Sequence, residues 1–529
     1  MKCRSQDVLV ALRVKAQLSL PVEALLETRR LDDHLAKSIR NKRPLWEPKE
    51  KKSQGYAEEA TPILYRTVST GFPAYSVVND KMEDVKVLVA LSLACLLSFA
   101  SCLPEYCGRD ADSDHESNVV PKVAGFDLKQ VSVVIRHGDR TRAGYSGPCW
   151  DNDKAVWDCL LTSSSLPAIK HDQHFQVIDR VYRKIYMEDR EPMQGDCALG
   201  VLTFKGYKQQ ELNGQALRNL YVKSDFLKQN YSYTDIYVRS DDESRTMQSA
   251  QSLMLGMYPP STIMSDRTHV VDINTRDQTF DNIEPNARLC PKLSEYNRDF
   301  LKSPQWQNHY NSVVKPLLEE VRKAIGANRS LTMEKLQDLV DCVHTHQCHK
   351  YEIPPGITDS LFQRMTTEVL YFWNSQYRYP SIQQFAKAGI GFLVNDMWQA
   401  MQKIMQGKGK KFLLYSGHDF TLGTLLMAFN ISEGKWPPYA SMFRLELYQN
   451  TAAARQNSKQ QESFAVKVIF NDQERKLPFC DASPCSMAQF EKYVNTIIPK
   501  DPQTECKVSD PEVLRRPLKL LRHMMYEWM

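Results

Sequence analysis

Three short apolar runs stand out along the second half of the chain, and each stops abruptly at charged or small residues. Val131, Val133, Val134 and Ile135 form the first, interrupted only by Ser132. A run apolar on both faces predicts a strand covered on both sides, as in a parallel sheet. Asp235-Ile236-Tyr237-Val238 and Phe412-Leu413-Leu414-Tyr415 predict two further strands. Between them the period changes. Leu202 to Tyr221 is predicted to be a helix packed on the sheet, with Gln210 and Arg218 structural. Leu393, Met397, Met401 and Ile404 recur at helical spacing and are closed by Gly407 before the strand at Phe412. That stripe reads as core, not as a cofactor site. Strands alternating with helices predict an α/β fold, a sheet domain with helices on both faces. The stretch from about 290 to 407 is expected to form a smaller, mainly helical inserted domain, because the length after residue 103 exceeds what one small core requires.

The chemistry sits where the strands stop. Side chains just beyond such a strand project into the crevice where open α/β sheets bind ligands. The first run ends in Arg136-His137-Gly138-Asp139-Arg140. Glycine permits close backbone approach to a ligand, the two guanidinium forks match phosphate oxygens, and imidazole is a covalent nucleophile. Taken alone, the motif reads equally as a charged surface turn. The other two runs repeat the layout, however: Val238 leads into a segment containing Ser244-Arg245-Thr246, and Tyr415 into Ser416-Gly417-His418-Asp419. If the three strands are parallel neighbours, Arg136, His137, Arg140, Arg245, His418 and Asp419 converge on one pocket.

With these residues the sequence resembles the histidine acid phosphatases, a branch of the phosphoglycerate mutase-like fold. The resemblance covers roughly residues 128 to 495. It rests on Arg-His-Gly-x-Arg at 136 to 140, on Gly200-x-Leu202-Thr203-x-x-Gly206 with Gln210, Gly214, Leu217 and Arg218, on Arg245-Thr246, and on His418-Asp419. Within the family the wording around Cys197, Asn213-Gly214-Gln215 and Ser244 to Ser249 is most similar to the 2-phosphoxylose phosphatases. The resemblance implies that His137 is phosphorylated, that Arg136, Arg140, Arg245 and His418 bind the transferred phosphate, and that Asp419 is the general acid. No cofactor and no metal is implied. The chain departs from the family in Arg142, where proline is usual, and in Gly417 and Phe420 around the histidine pair. Arg142 either adds positive charge at the mouth, favouring a polyanionic or acidic-sugar substrate, or points into solvent.

The densest cluster of metal-ligand types, Cys342 to His349, fits no standard zinc spacing. A local Cys342 to Cys348 disulfide is the simpler expectation. Ten cysteines follow Leu103, an even number, and the family resemblance favours a Cys480 to Cys485 bridge. Sequons at Asn230, Asn328 and Asn430 join them in favouring a lumenal or extracellular domain. Val87 to Leu103 carries no charge over seventeen residues, long for a signal core and short for a bilayer span. The expected organisation is therefore an N-terminal tail or gene-model extension over 1–86, a signal-anchor or signal segment over 87–103, a linker over 104–127, the catalytic domain over 128–500 and a C-terminal tail over 501–529.

Charge narrows the partners. Residues 1–102 hold 16 Lys and Arg against 12 Asp and Glu, so +4 of the formal +5 lies there. The remainder is nearly neutral and gives nucleic-acid binding no electrostatic support. The sequence specifies no oligomeric state. The leading expectation is a Golgi membrane protein that removes 2-phosphate from xylose in the glycosaminoglycan linkage region of proteoglycans. The alternatives are a broad-specificity lysosomal or secreted acid phosphatase and a non-catalytic ligand-binding protein on the same fold.

Overall fold

A computed structural model describes residues 104–108, 123–144, 149–151, 153–157, 159, 168–171, 174–177, 194–195, 197–259, 270–455 and 463–509. Its centre is a seven-stranded sheet. Strand β1 (Phe126–Arg136) lies between β3 (Phe412–Gly417), to which it is parallel, and β4 (Met442–Asn450), to which it is antiparallel. Strand β2 (Ile236–Ser240) extends the parallel part beyond β3. On the other side β5 (Phe464–Phe470) and β6 (Gln473–Arg475) complete the order β6-β5-β4-β1-β3-β2, and β7 (Cys485–Ser486) pairs with β5. The three apolar runs are thus adjacent parallel strands.

The register explains why their ends meet. Arg136 is level with Gly417, and Ser240 with Ser416. The residues that follow, His137, Asp241 and His418, leave the sheet along one edge.

Burial on both faces of β1 follows its alternation. Val131, Val133 and Ile135 pack with Leu253 and Met257 of helix α2 (Ser244–Met257), and with Leu217 of helix α1 (Phe204–Leu217). Val134 faces the other way, into a core shared with Leu393, Met397 and Met401. Each such aliphatic side chain contributes about 1.5–3 kcal/mol when fully buried, which is why this run reads as continuous rather than alternating.

The connection from α2 to β3 carries α3 (Lys292–Lys302), α4 (Pro304–His309), α5 (Lys315–Ala324), α6 (Met333–Cys348), α7 (Asp359–Gln376), α8 (Ile382–Ala388) and α9 (Gly391–Met405). Leu293, Phe300, Trp306, Leu317, Leu336, Met365 and Phe372 give this helical part a core of its own. Helix α9, at the end of the range expected for the insertion, belongs instead to the sheet core.

Five disulfides join Cys107–Cys348, Cys149–Cys342, Cys159–Cys197, Cys290–Cys506 and Cys480–Cys485. The expected Cys342–Cys348 bridge is therefore corrected. Both residues lie on α6, and six residues of α-helix rise about 9 Å, beyond the reach of a disulfide. The folded unit also extends past both expected boundaries. Residues 104–108 are bound through Cys107, and the chain beyond 500 is bound through Cys506 and through Ser509, whose backbone N–H donates to Glu295. The expected segment 87–103 lies outside the described residues, among which no helix is long and apolar enough to cross a membrane. Asn230, Asn328 and Asn430 are all exposed.

Candidate active site

The loop after β1 turns immediately against helix α1. A Cβ on Gly138 would fall 2.2 Å from the carbonyl oxygen of Gly206, and one on Gly206 would fall 2.1 Å from that of Asp139. Only paired glycines allow this approach, which fixes His137 at the sheet edge. Thr203 caps α1 by accepting from Gly206 N, and its hydroxyl also donates to Asp139 Oδ1 at 2.5 Å. His349 Nε2 stands 2.6 Å from the same oxygen. Burial works to raise the Asp139 carboxyl, but His349 outweighs it and holds the group below its ordinary range.

His137 is 1% exposed. Its Nδ1 lies 2.8 Å from the Gly138 carbonyl oxygen. A carbonyl only accepts, so Nδ1 carries the proton and Nε2 of the neutral ring keeps its lone pair. Burial, together with the charges of Arg245, Arg136, Arg140 and His418, pushes the imidazole well below its usual pKa. The ring is neutral through the physiological range.

Arg136 is fully buried. Its Nη1 donates to Pro437 O at 2.6 Å and its Nη2 to the Tyr106 hydroxyl at 2.8 Å, and Nη2 forms an ion pair with Asp419 Oδ2 at 2.9 Å. Arg140 is clamped by both carboxylate oxygens of Asp341 at 3.1 Å, and Asp341 also accepts from Ala143 N. The Nε atoms of Arg136 and Arg140 are buried and have no hydrogen-bond partner.

Helix α10 (Asp419–Ala428) starts at the end of β3, with His418 as its N-cap. His418 Nε2 lies 2.8 Å from Asp241 Oδ2, and its Nδ1 lies 3.4 Å from Arg245 Nη2. Burial works against the charged ring, yet Glu284 and Asp241 outweigh it and raise the His418 pKa. Asp419 Oδ1 accepts from Phe420 N and Oδ2 from Trp436 Nε1 at 2.9 Å. Burial alone would raise the Asp419 carboxyl; Arg136, Arg140 and Trp436 hold it below the ordinary range.

The structure thus brings Arg136, His137, Arg140, Arg245, His418 and Asp419 into one buried cluster. Arg142 does not point into solvent: it is 2% exposed, and Asp153, Asp341 and Asp338 favour its charge. Asp338 and Asp341 come from α6, far along the chain, so local sequence could not reveal them. Gln210 and Arg218 bind main chain, through Arg136 O and Met257 O.

Several residues at the site escaped sequence reasoning. Tyr106, Asp241, Glu284, Asp341, Trp436 and Tyr439 lie outside the motifs, and only Asp241, directly after a strand end, carried a local signal. Removal from water lifts Glu284 to about 7, against the pull of His418. Cysteine and histidine near α6 do not form a zinc set. The one cluster of possible ligands among the described residues, Cys149, Asp153 and His346, has its sulfur committed to Cys342.

Residues 127–471 match the family model of the histidine phosphatase superfamily (branch 2). The chain is 31% identical over 391 residues to counting factor 60 of Dictyostelium discoideum, across 71% of this chain and 87% of that protein. It is 28% identical over 413 residues to lysosomal acid phosphatase of Homo sapiens, across 75% and 85% of the two chains. With prostatic acid phosphatase of Homo sapiens the identity is 26% over 326 residues, across 59% and 80%.

Proposed function

The chain belongs to branch 2 of the histidine phosphatase superfamily and is a phosphoric monoester hydrolase, and from that premise we propose that it works through a phosphohistidine on Nε2 of His137. The observation that carries this reading is the hydrogen bond from His137 Nδ1 to Gly138 O, which commits the proton to one nitrogen and leaves the other nucleophilic.

In the first step the Nε2 lone pair forms an N–P bond while the P–O ester bond breaks. The electrons go to the departing oxygen, which takes the proton of Asp419 and leaves as an alcohol. Arg136, Arg140, Arg245 and His418 hold the phosphoryl oxygens. The buried, unpartnered Nε donors of Arg136 and Arg140 support this role, as does the 3.4 Å separation of Arg245 Nη2 and His418 Nδ1, across which an oxyanion accepts from both. In the second step Asp419, now a carboxylate, takes a proton from water. The water oxygen attacks phosphorus, the N–P bond breaks, and its electrons return to His137.

The acid role requires a protonated Asp419, whereas Arg136 holds the carboxyl low. A phosphate dianion bound at the arginines offsets that charge, and an acidic medium supplies the proton. The reading therefore includes an acidic optimum.

For the substrate we propose a phosphorylated sugar, with 2-phosphoxylose of the proteoglycan linkage region as the leading case. What supports a sugar is the aromatic surround of the acid: Trp436 donates to Asp419, and Phe420 follows it and packs 4.4 Å from Trp373. Ring faces of this kind suit the C–H face of a pyranose. A broad-specificity acid phosphatase is the second reading, favoured by the lysosomal and prostatic relatives. Five disulfides and three exposed sequons support a lumenal or secreted domain. We place it in the Golgi lumen, tethered by residues 87–103.

The test is phosphate release by the full-length chain from an aryl phosphate and from a 2-phosphoxylose linkage oligosaccharide, side by side. Strong preference for the oligosaccharide is expected. Comparable turnover of both selects the general phosphatase, and turnover of neither removes the enzymatic reading.

A further inference from the structure

We propose that residues 104–108 are a strap built into the active site, and that Tyr106 is a positioning residue that keeps Arg136 in place while Asp419 carries its proton. This rests on the phosphohistidine reading above, and it concerns residues outside the stretch 127–471 that matches the family.

The strap is pinned on every side. Cys107 is joined to Cys348 at the end of α6. Tyr439 N donates to Tyr106 O at 3.0 Å, and Gln209 Nε2 to Cys107 O at 2.7 Å. Gly108 follows at φ 73°, where a Cβ would lie 2.2 Å from Tyr439 O. A five-residue segment far from the motif in sequence is thus held against α1, α6 and the loop before β4.

What the strap delivers is one phenol. The Tyr106 ring stacks on His344 at 3.9 Å and meets Tyr439 edge-on at 4.9 Å. The Arg136 guanidinium lies 4.9 Å from the Tyr106 ring centre and 4.2 Å from that of Tyr439. Its Nη2 donates to the Tyr106 oxygen and also stands 2.9 Å from Asp419 Oδ2 as an ion pair.

That sharing has a mechanistic consequence. While Asp419 is a carboxylate it anchors Arg136 by charge. As an acid, it has a proton on one oxygen and no charge to offer, so its grip on Arg136 weakens. Tyr106 and Pro437 O remain, and neither changes with protonation near neutrality, since burial raises the phenol above its ordinary value. Arg136 is then held in register for the phosphoryl group while Asp419 turns to the leaving oxygen. Without the phenol, Nη2 has only Asp419 to pair with, and the two bind each other more firmly. The other groups facing Asp419 stay in place: Arg140 beside Arg136, Arg245 on α2, His418, Glu284, Tyr377 and the indole of Trp436.

The variant Tyr106→Phe keeps the ring, its stacking and the disulfide while deleting the hydroxyl. In the full-length chain, calorimetry with inorganic phosphate is expected to show a Kd roughly tenfold higher, the loss of one hydrogen bond to a charged group. The alkaline limb of kcat on an alkyl phosphate is expected at lower pH than in wild type, because Asp419 is held as a carboxylate more tightly. On an aryl phosphate, whose leaving group needs little protonation, the loss of kcat is expected to be smaller and the alkaline limb not to move. Wild-type phosphate affinity together with a wild-type pH limb overturns the proposal, and so does an equal loss on both substrates with no shift of the limb. Failure of the phosphohistidine reading shows elsewhere, as a wild-type enzyme that traps no phosphoenzyme.

Discussion

The guanidinium of Arg136 and the carboxylate of Asp419 form an ion pair of 2.9 Å, with Arg136 fully buried and Asp419 nearly so. In the proposed mechanism each also serves the reaction, the cation by holding phosphate and the carboxyl by carrying a proton. Substrate binding must therefore loosen the pair, which makes the acid function conditional on an occupied phosphate site.

For Asp419→Asn the expected result depends on the leaving group. An amide keeps one accepting oxygen, for Phe420 N or for Trp436 Nε1, and supplies no proton. Turnover of alkyl phosphates is expected to fall by about 10² to 10⁴, the usual worth of a positioned general acid, and turnover of aryl phosphates by much less. Steady-state kinetics on both, at acidic pH, decides it. Equal losses make Asp419 an electrostatic or positioning group.

His137→Ala removes the nitrogen on which the covalent step depends. Turnover and acid-quenched phosphoenzyme are both expected to vanish, with inorganic phosphate still bound because the arginines remain. Residual turnover in a preparation free of contaminating phosphatase removes the nucleophile assignment.

What the sequence made legible follows from distance along the chain. Strands β1, β2 and β3 were visible because burial on both faces leaves a continuous apolar run, and His137, Arg140 and His418 because they follow those strands directly. Their convergence needed the register, which puts Arg136 opposite Gly417. Partners brought in by tertiary contact left no local trace. Asp341 reaches Arg140 across 201 positions, and Tyr106 reaches Arg136 from a stretch that reads as linker. The expected Cys480–Cys485 bridge is present, but the Cys342–Cys348 pairing failed for the same reason. Cys342 and Cys348 look paired by proximity, but their helix separates them and gives each a distant partner. For Arg142 the solvent-facing alternative failed, because two of the acids that favour its charge lie on α6, far along the chain.

Asp341 itself offers a stability test. It clamps Arg140 with both oxygens and accepts from Ala143 N, so Asp341→Ala leaves a buried guanidinium without its counter-charge. Loss of one partner of a buried pair costs about 3–5 kcal/mol. Urea unfolding is expected to show a loss of that size, together with weaker phosphate binding, because Arg140 is no longer aimed. A variant with wild-type stability and affinity shows that Arg140 is held by its main-chain contact alone.

The pair His418 and Asp241 ties stability to pH. Burial lowers the His418 pKa, but Glu284 and the hydrogen bond to Asp241 raise it overall above 6.5. Its contribution is complete below the unfolded value and disappears as pH rises through the folded one. Asp241 runs the other way. Burial raises it, the His418 contact outweighs that, and the net is a pKa below 3.8. Its contribution is present above the unfolded value and is lost as pH falls through the folded one. The charged pair therefore stabilises the fold most between about pH 4 and about pH 6.5. Asp241→Asn removes the anion, and its stability deficit in urea is expected to be largest in that window and to shrink as pH rises through the raised folded value of His418. Phosphate affinity follows the same course, since a neutral His418 no longer contributes charge to the oxyanion. A deficit that stays constant from acid to alkaline pH shows that His418 remains uncharged throughout and binds phosphate as a neutral donor.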